Sequence, residues 1–202
     1  MSIRSFFAIP LKLGSIRRLA DHADSLGALG LEADRQDLLR WSDSDSYHLT
    51  LCFLGDISLD QVAALEQQAK DALQGQGSFQ VQLQGSDYLQ VNSALTVLAV
   101  LAQADAELLA LQQRMAQVVE RVGLCVDEPD FRPHITLARL KGDHRADSDA
   151  SWPQFEMPLL ADSVVLFQSL PSEHGSIYTP LFEVPLTAPL HHDTGVELTE
   201  QL

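Results

Sequence analysis

The 202-residue sequence is poor in several residue types, and each shortage excludes a class of protein. Its two cysteines, Cys52 and Cys125, have no C-x-x-C spacing, which argues against a disulfide framework or a zinc site. No apolar run approaches the roughly 18 residues of a transmembrane helix, and the N-terminal run is too short for a signal peptide. We therefore predict a cytoplasmic protein without a membrane segment, in which both thiols stay reduced.

Positive charge is also scarce. Lys and Arg number 13 against 28 Asp and Glu, which gives a formal net charge of −15. Such a chain repels long nucleic acid unless its cations are gathered in one place, so we expect no stable complex with a long polynucleotide. One local cationic pocket would still suffice for a small phosphorylated ligand or an RNA end. The remaining composition, 46% hydrophobic and 20% charged, is that of an ordinary globular protein.

Strand-like and helix-like segments are mixed along the chain, which predicts an α+β fold. Ser58 and Gln61 have the spacing of a capping box at the start of the second helix. We predict one domain over residues 1–187, followed by a polar, acidic tail over 188–202. Strands are predicted at 3–9, 47–54, 79–84, 87–91, 94–101, 134–140, 163–169 and 177–186, and helices at 11–27, 59–73 and 104–122.

One strand-like phrase occurs twice, as HLTL from His48 and as HITL from His134. Because side chains alternate along a strand, each histidine shares a face with the threonine two residues later, Thr50 or Thr136. The apolar residues between and after them can then be buried in a core; Leu51 and Leu137 close the two motifs. Core packing gives no reason to use His-x-Thr twice, so we predict two similar halves that face each other across one cleft.

The same alternation makes predictions for the residues that follow each motif. Cys52 should share the face of His48 as a packed thiol, and Phe53 should lie on the opposite face. Arg139 lies five residues after His134, an odd step, so a regular strand would turn it away from the histidine. It would reach the rim of the cleft only if the strand ends or twists there.

Paired imidazoles and hydroxyls suit displacement at phosphorus. One imidazole can take a proton from the attacking water while the other gives a proton to the departing oxygen, and both tasks fit a group that titrates near neutral pH. Hydroxyls can donate to the non-bridging oxygens, where negative charge sits in the transition state. A cyclic phosphodiester is a suitable target because its ring keeps the leaving oxygen on the phosphorus. The sequence has no H-E-x-x-H and no Asp/His cluster, so we predict no metal and no cofactor.

With both motifs in view, the sequence resembles the 2H phosphoesterase superfamily, and within it the RNA 2′,3′-cyclic phosphodiesterases, the 2′-5′ RNA ligase-like family. The resemblance spans about residues 3–187 and includes RSFFAI, YHLTLCFLGD, FRPHITLARL and LFQSLPSEHGSIYTPL. It implies a bilobal fold with two similar, mostly antiparallel sheets, helices outside and the active site in the central cleft. It also implies metal-independent hydrolysis of RNA or nucleotide 2′,3′-cyclic phosphates to 2′-phosphates.

The resemblance further implies residue roles. His48 corresponds to the general acid that protonates the leaving 3′ oxygen, and His134 to the general base for water. Thr50 and Thr136 correspond to donors to the phosphate, and the placement of Arg139 implies a phosphate contact. The motif pattern itself leaves the two histidines interchangeable. Some superfamily members also join or cleave 2′-5′ linkages, which is the same displacement with a ribose hydroxyl in place of water.

Several other cations and histidines could lie near this site or away from it. Arg132 and Lys141 flank the second motif and, with Arg139, place three cations within ten residues of an acidic chain. His22, His144 and His174 are expected to be solvated, because they lie in a helix and in polar loops.

Alternative functions remain open from the sequence. One is a non-catalytic binder of nucleotides or RNA ends, against which the intact histidines and threonines of both motifs argue. Another is a 2H phosphodiesterase for a different cyclic or 2′-5′ linked nucleotide. A histidine-based metal enzyme is less favoured. The expected partners are RNA ends or nucleotides with a 2′,3′-cyclic phosphate, bound by a monomer.

Overall fold

The structure is a computed structural model that describes residues 2–29, 39–126, 130–141, 152–172 and 175–187. The predicted tail, the polar loop at 142–151, His144 and His174 lie outside these ranges. The elements are β1 (Ile3–Pro10), α1 (Leu13–Gly27), β2 (Leu39–Trp41), β3 (His48–Ile57), α2 (Leu59–Ala72), β4 (Phe79–Asn92), β5 (Leu95–Ala102), α3 (Ala106–Arg121), β6 (His134–Lys141), β7 (Glu156–Ala161), β8 (Ser163–Ser172) and β9 (Gly175–Pro185).

The strands form two sheets. The first sheet has the order β3-β1-β8-β9, and the second has the order β2-β6-β5-β4-β7. Neighbouring strands in both are antiparallel. The predicted α+β architecture with two antiparallel sheets is therefore confirmed. The motif strands β3 and β6 belong to different sheets and contact each other, which brings the two sheets together at their histidines.

The helices cover one face of each sheet. On α1, Arg18 Nη2 donates to the carbonyl of Glu156 at 3.0 Å, and Gly27 lies against the Trp41 ring, so this helix covers the second sheet. Helix α3 packs on β3, where the Cys52 thiol lies 3.9 Å from the Gln112 carbonyl oxygen, and α2 packs beside α3. Within the described ranges, no helix covers the opposite face of either sheet, and these two faces border the cleft.

Local signals account for most element boundaries. The Ser58 side chain accepts from the Gln61 amide while the Gln61 side chain accepts from the Ser58 amide, which confirms the predicted capping box. Two glycines account for two differences. Gly55, with φ of 67°, carries β3 on to Ile57 instead of ending it. Gly85, with φ of 68°, makes a bulge within one long β4, where the sequence predicts two strands around a turn.

Two short strands are absent from the sequence prediction. Strand β2 has only three residues, too few to show a period. Strand β7 contains Pro158, which lacks the N–H of a central strand, and β7 accordingly forms an edge of the second sheet. Within the described residues, no helix has the length and apolar character needed to cross a membrane.

The expectation that His22 is solvated is wrong. Its side chain is only 6% exposed, because it lies on the face of α1 that carries Leu19 and Leu26 into the core. Its Nε2 is 2.7 Å from the Ser86 hydroxyl, and its ring lies 4.4 Å from that of Phe155. Burial lowers the pKa of His22 below its ordinary value. This histidine thus joins α1 to the second sheet.

Candidate active site

The two motif histidines have the same local geometry. His48 and His134 are the first residues of β3 and β6, and each Nδ1 lies close to a carbonyl two residues earlier, 2.7 Å from that of Ser46 and 2.6 Å from that of Arg132. A carbonyl can only accept, so Nδ1 must carry the proton in both rings. This fixes the tautomer and leaves Nε2 of each imidazole available to a ligand.

A bulge follows the first motif. Thr50 pairs with Ala8 and Cys52 with Phe7, so Leu51 is an extra residue without a partner on β1. A bulge reverses the alternation beyond it. Leu51 and Cys52 are consequently both buried in the helix-covered core. The prediction that Cys52 shares the face of His48 is therefore wrong.

The same bulge turns Phe53 towards the cleft, where the regular alternation placed it on the opposite face. Its ring lies 5.9 Å from that of Phe6, which in turn lies 4.7 Å from His48. Phe167 and Tyr178 complete an aromatic wall around the histidine, at 5.5 and 5.1 Å from Phe6. Phe53 is 38% exposed, so this aromatic surface is accessible from the cleft.

The second motif is followed by the same bulge. Thr136 pairs with Ala99 and Ala138 with Leu98, so Leu137 is the extra residue. Leu137 and Ala138 are both fully buried, and the reversal brings Arg139 onto the face of His134. The prediction from regular alternation, which turned Arg139 away, is wrong for this reason.

Arg139 joins the two sheets across the cleft. Its Nη1 donates to the Ser42 hydroxyl at 3.0 Å, and its Nη2 donates to the Tyr178 hydroxyl of the first sheet at 3.2 Å. Both partners are neutral, so these contacts orient the guanidinium without cancelling its charge. Arg132 lies on the other side of His134, and its Nη2 donates to the Gln90 carbonyl at 2.9 Å.

Two alanines keep space beside the threonines. Ala8 is directly opposite Thr50 on β1, and Ala99 is directly opposite Thr136 on β5. Directly opposed residues in an antiparallel pair share a face, so each alanine lies beside a threonine on the cleft side. Both alanines are fully buried. Their short side chains leave the neighbouring threonine hydroxyls uncovered by a larger side chain at these two positions.

Comparison with known proteins identifies the family. Residues 26–168, more than half of the chain, match the 2′-5′ RNA ligase superfamily. The chain belongs to this superfamily. The assignment made from the two motifs is therefore confirmed, and with it the prediction of an enzyme of the phosphoesterase type.

Similar members of the superfamily come from archaea and bacteria. An RNA 2′,3′-cyclic phosphodiesterase of Methanothermobacter thermautotrophicus is 25% identical over 147 residues, which is 73% of this chain and 76% of that protein. One from Aeropyrum pernix is 25% identical over 179 residues, 84% of this chain and 95% of that protein. The crystal structure of E. coli LigT complexed with NADP+ is similar, with a TM-score of 0.67 and 25% identity over 92% of this chain and 99% of that one.

Burial and the charges of the cleft favour the neutral form of both motif imidazoles in this member of the 2′-5′ RNA ligase superfamily. The pKa of His48 is lowered to about 4, first by burial and then by the charge of Arg139 and the neighbouring His134, against the opposing effect of the Ser46 carbonyl. The pKa of His134 is also lowered, by burial and then by Arg132 and Arg139. An anion bound between the imidazoles would act in the opposite direction and favour the protonated form.

Metal-ligand clusters are absent from the part of the chain that the structure describes. No group of three or more His, Cys, Asp or Glu side chains there could hold a metal ion. The cleft of this superfamily member instead combines two imidazoles, two hydroxyls, a guanidinium and an aromatic wall. Among these groups Phe53 was missed by the sequence prediction, although it occupies the position after His48 that Arg139 occupies after His134.

Proposed function

We propose that the protein hydrolyses the 2′,3′-cyclic phosphate of an RNA end or nucleotide to a 2′-phosphate, without a metal ion, through paired histidines. The observation that carries the proposal is the matched geometry of His48 and His134. Both rings have Nδ1 held by a backbone carbonyl, which leaves Nε2 for proton transfer, and they come from contacting strands of two different sheets, close enough for the charge of His134 to lower the pKa of His48. The names of the relatives from Methanothermobacter and Aeropyrum support the same reaction.

The reaction needs one proton removed and one delivered. Neutral His134 takes a proton at Nε2 from the water that attacks phosphorus, and protonated His48 gives a proton to O3′ as the P–O3′ bond breaks. The ring opens to a 2′-phosphate and a free 3′ hydroxyl, so protons balance over the step. The assignment of acid and base follows the superfamily resemblance, because the two histidines have the same hydrogen-bond pattern.

Donors around the phosphate complete the proposal. Thr50 and Thr136 donate to non-bridging oxygens from opposite sides, and the Arg139 guanidinium neutralises the charge that these oxygens carry in the transition state. Phe53 offers a ring face on which the terminal base can stack. A base on the first sheet and a phosphate beside Arg139 would place the scissile bond between the histidines.

The test is hydrolysis of the four nucleoside 2′,3′-cyclic phosphates in EDTA, with the product phosphate located by phosphorus NMR. We expect 2′-phosphates from the native protein. His48→Gln and His134→Gln keep a polar side chain of similar reach, and each should lower kcat at least about 100-fold. The midpoint temperature of thermal unfolding of both variants should remain that of the native protein. A histidine variant that keeps most of its activity would contradict the paired proton transfer, and a 3′-phosphate product would reverse the choice of leaving oxygen.

Two neighbouring functions are separated by the same assay. The superfamily owes its name to the joining of RNA ends through a 2′-5′ linkage. This reaction would require a ribose hydroxyl to replace water. Adding RNA with a free 5′ hydroxyl to the assay tests for it. A non-catalytic binder would bind nucleotides as tightly after either histidine substitution and would release no product.

A further inference from the structure

The helix-free face of the second sheet carries a row of cations beyond the histidines. Arg40 on β2 is directly opposite Arg139 on β6, so the two side chains share a face. The flanking residues agree, because Leu39 and Trp41 pack against the core on the other side of β2. Lys141 lies two residues beyond Arg139 and shares its face by alternation. Arg40 and Lys141 are both exposed.

The spacing of this row fits more than one phosphate. Strands in a sheet lie about 5 Å apart and residues two apart on a strand are separated by about 7 Å, so Arg40 and Lys141 stand beside Arg139 and not on top of it. A single phosphate held by Arg139 between the histidines leaves these two cations outside its first contacts. Three cations on one face are notable in a chain with 13 Lys and Arg residues and a net charge of −15.

Among the residues that the structure describes, the first sheet has no equivalent row of cations on its cleft side. On its cleft side Arg4 is directly opposite Asp56, so a negative charge lies beside the positive one on that face. The rest of that surface is the aromatic wall of Phe6, Phe53 and Tyr178. The cleft side therefore carries ring faces on the first sheet and positive charge at the β2–β6 edge of the second sheet, while the carboxylate of Asp87 lies further across that sheet, opposite Ala99. A chain of phosphates is attracted to the β2–β6 edge.

We propose that Arg40 and Lys141 form a subsite for the next phosphodiester of the RNA, which makes an RNA end a better substrate than a cyclic mononucleotide. The inference rests on the proposed function, since it extends the same cleft by one nucleotide. The subsite extends over one phosphodiester only. This agrees with the negative net charge of the protein, which would repel the rest of a long RNA strand whose end is bound in the cleft.

The test compares kcat/KM for a nucleoside 2′,3′-cyclic phosphate with that for a trinucleotide that ends in the same cyclic phosphate, at low and moderate salt. We expect the native protein to prefer the trinucleotide by about tenfold, and Arg40→Gln to reduce this ratio by about fivefold. Arg121→Gln is the matched control, because it makes the same charge change on an exposed residue of α3, away from the cleft. It should keep the native ratio.

The outcomes separate this inference from the proposed function. A native protein that hydrolyses both substrates equally, or an Arg40→Gln variant that keeps the native ratio, overturns the subsite and leaves the proposed function standing. Absence of any turnover overturns the proposed function. Binding of a labelled trinucleotide with a 2′-phosphate end then tests the subsite by itself, and equal affinity for the native protein and Arg40→Gln overturns it.

Discussion

A single position decides what each half of the cleft offers to a ligand. The fifth residue after the motif histidine is Phe53 in the first sheet and Arg139 in the second, and equivalent bulges bring both into the cleft. The two halves otherwise repeat the same groups, with a carbonyl-bonded histidine, a threonine and an opposed alanine. The two motif strands are therefore alike except at this position, where one carries an aromatic ring and the other a guanidinium, and this difference makes the site asymmetric.

Two substitutions of Arg139 distinguish the contribution of its charge to activity from the contribution of its planar guanidinium. Arg139→Gln removes the charge and is expected to lower kcat/KM about 100-fold or more, the usual effect of losing a donor to transition-state charge. Arg139→Lys keeps the charge but loses the planar fork that reaches both Ser42 and Tyr178, and should fall between Gln and the native residue. Steady-state kinetics check both variants. Equal activity of Lys and Arg would show that the fork is not used.

Burial of His48 also has a consequence for stability. Its pKa is lowered from 6.5 to about 4 in the folded protein, so the unfolded chain binds the proton more readily. The stabilisation by neutral His48 is complete above pH 6.5, is lost as pH falls below that value, and levels off near pH 4. Between pH 7.5 and 5 this amounts to about 2 kcal/mol.

Urea unfolding of the native protein and of His48→Gln at pH 7.5 and pH 5 measures this effect. The free energy of unfolding should fall by about 2 kcal/mol more in the native protein than in the variant. Comparing the two proteins cancels the contributions of His22 and His134, whose pKa values are also lowered. Equal losses in both proteins would mean that His48 is solvated in solution.

Among the elements, α2 allows a substitution that should change the stability of the fold and leave the activity unchanged. Ser58→Ala removes the hydroxyl that accepts from the Gln61 amide, which is one half of the capping box, and is expected to lower the free energy of unfolding by about 1 kcal/mol. Because α2 packs on α3 and lies behind the first sheet, kcat/KM should be unchanged. Chemical denaturation and the hydrolysis assay measure the two quantities. A fall in activity would show that the position of α2 affects the cleft.

An element can be predicted from the sequence when neighbouring residues determine it, and it is missed when contacts with distant residues determine it. The helices, the capping box and the strands other than β2 and β7 follow from local patterns, and the motif faces follow from alternation as far as Thr50 and Thr136. The bulges at Leu51 and Leu137 depend on register with β1 and β5, which are distant in sequence. Every face assignment beyond a bulge is therefore reversed. The burial of His22 is missed for a similar reason, since Ser86 and Phe155 come from other parts of the chain.

At the scale of the whole molecule, the proposed reaction depends on a proton shared between two sheets. It needs one imidazole protonated and the other neutral, and burial and then the cations of the cleft lower the pKa of both. The apparent values belong to the pair and not to either residue. Because both pKa values are lowered, the singly protonated pair becomes the main form only below the ordinary histidine pKa of 6.5.

The pH dependence of the rate follows from this pairing. In the free enzyme the proton on the acid is lost as pH rises and the proton on the base is gained as pH falls, so kcat/KM should be bell-shaped, with its optimum below pH 6.5. Bound cyclic phosphate carries a negative charge that favours the imidazolium, so the optimum of kcat should lie at higher pH than that of kcat/KM. Steady-state rates from pH 4 to 9 measure both profiles. A common optimum would mean that the phosphate charge is already balanced by Arg139 and does not affect the imidazoles. A kcat/KM optimum above neutrality would contradict the shared proton, because the acid would then have to keep its proton at a pH where burial and the nearby arginines favour its loss.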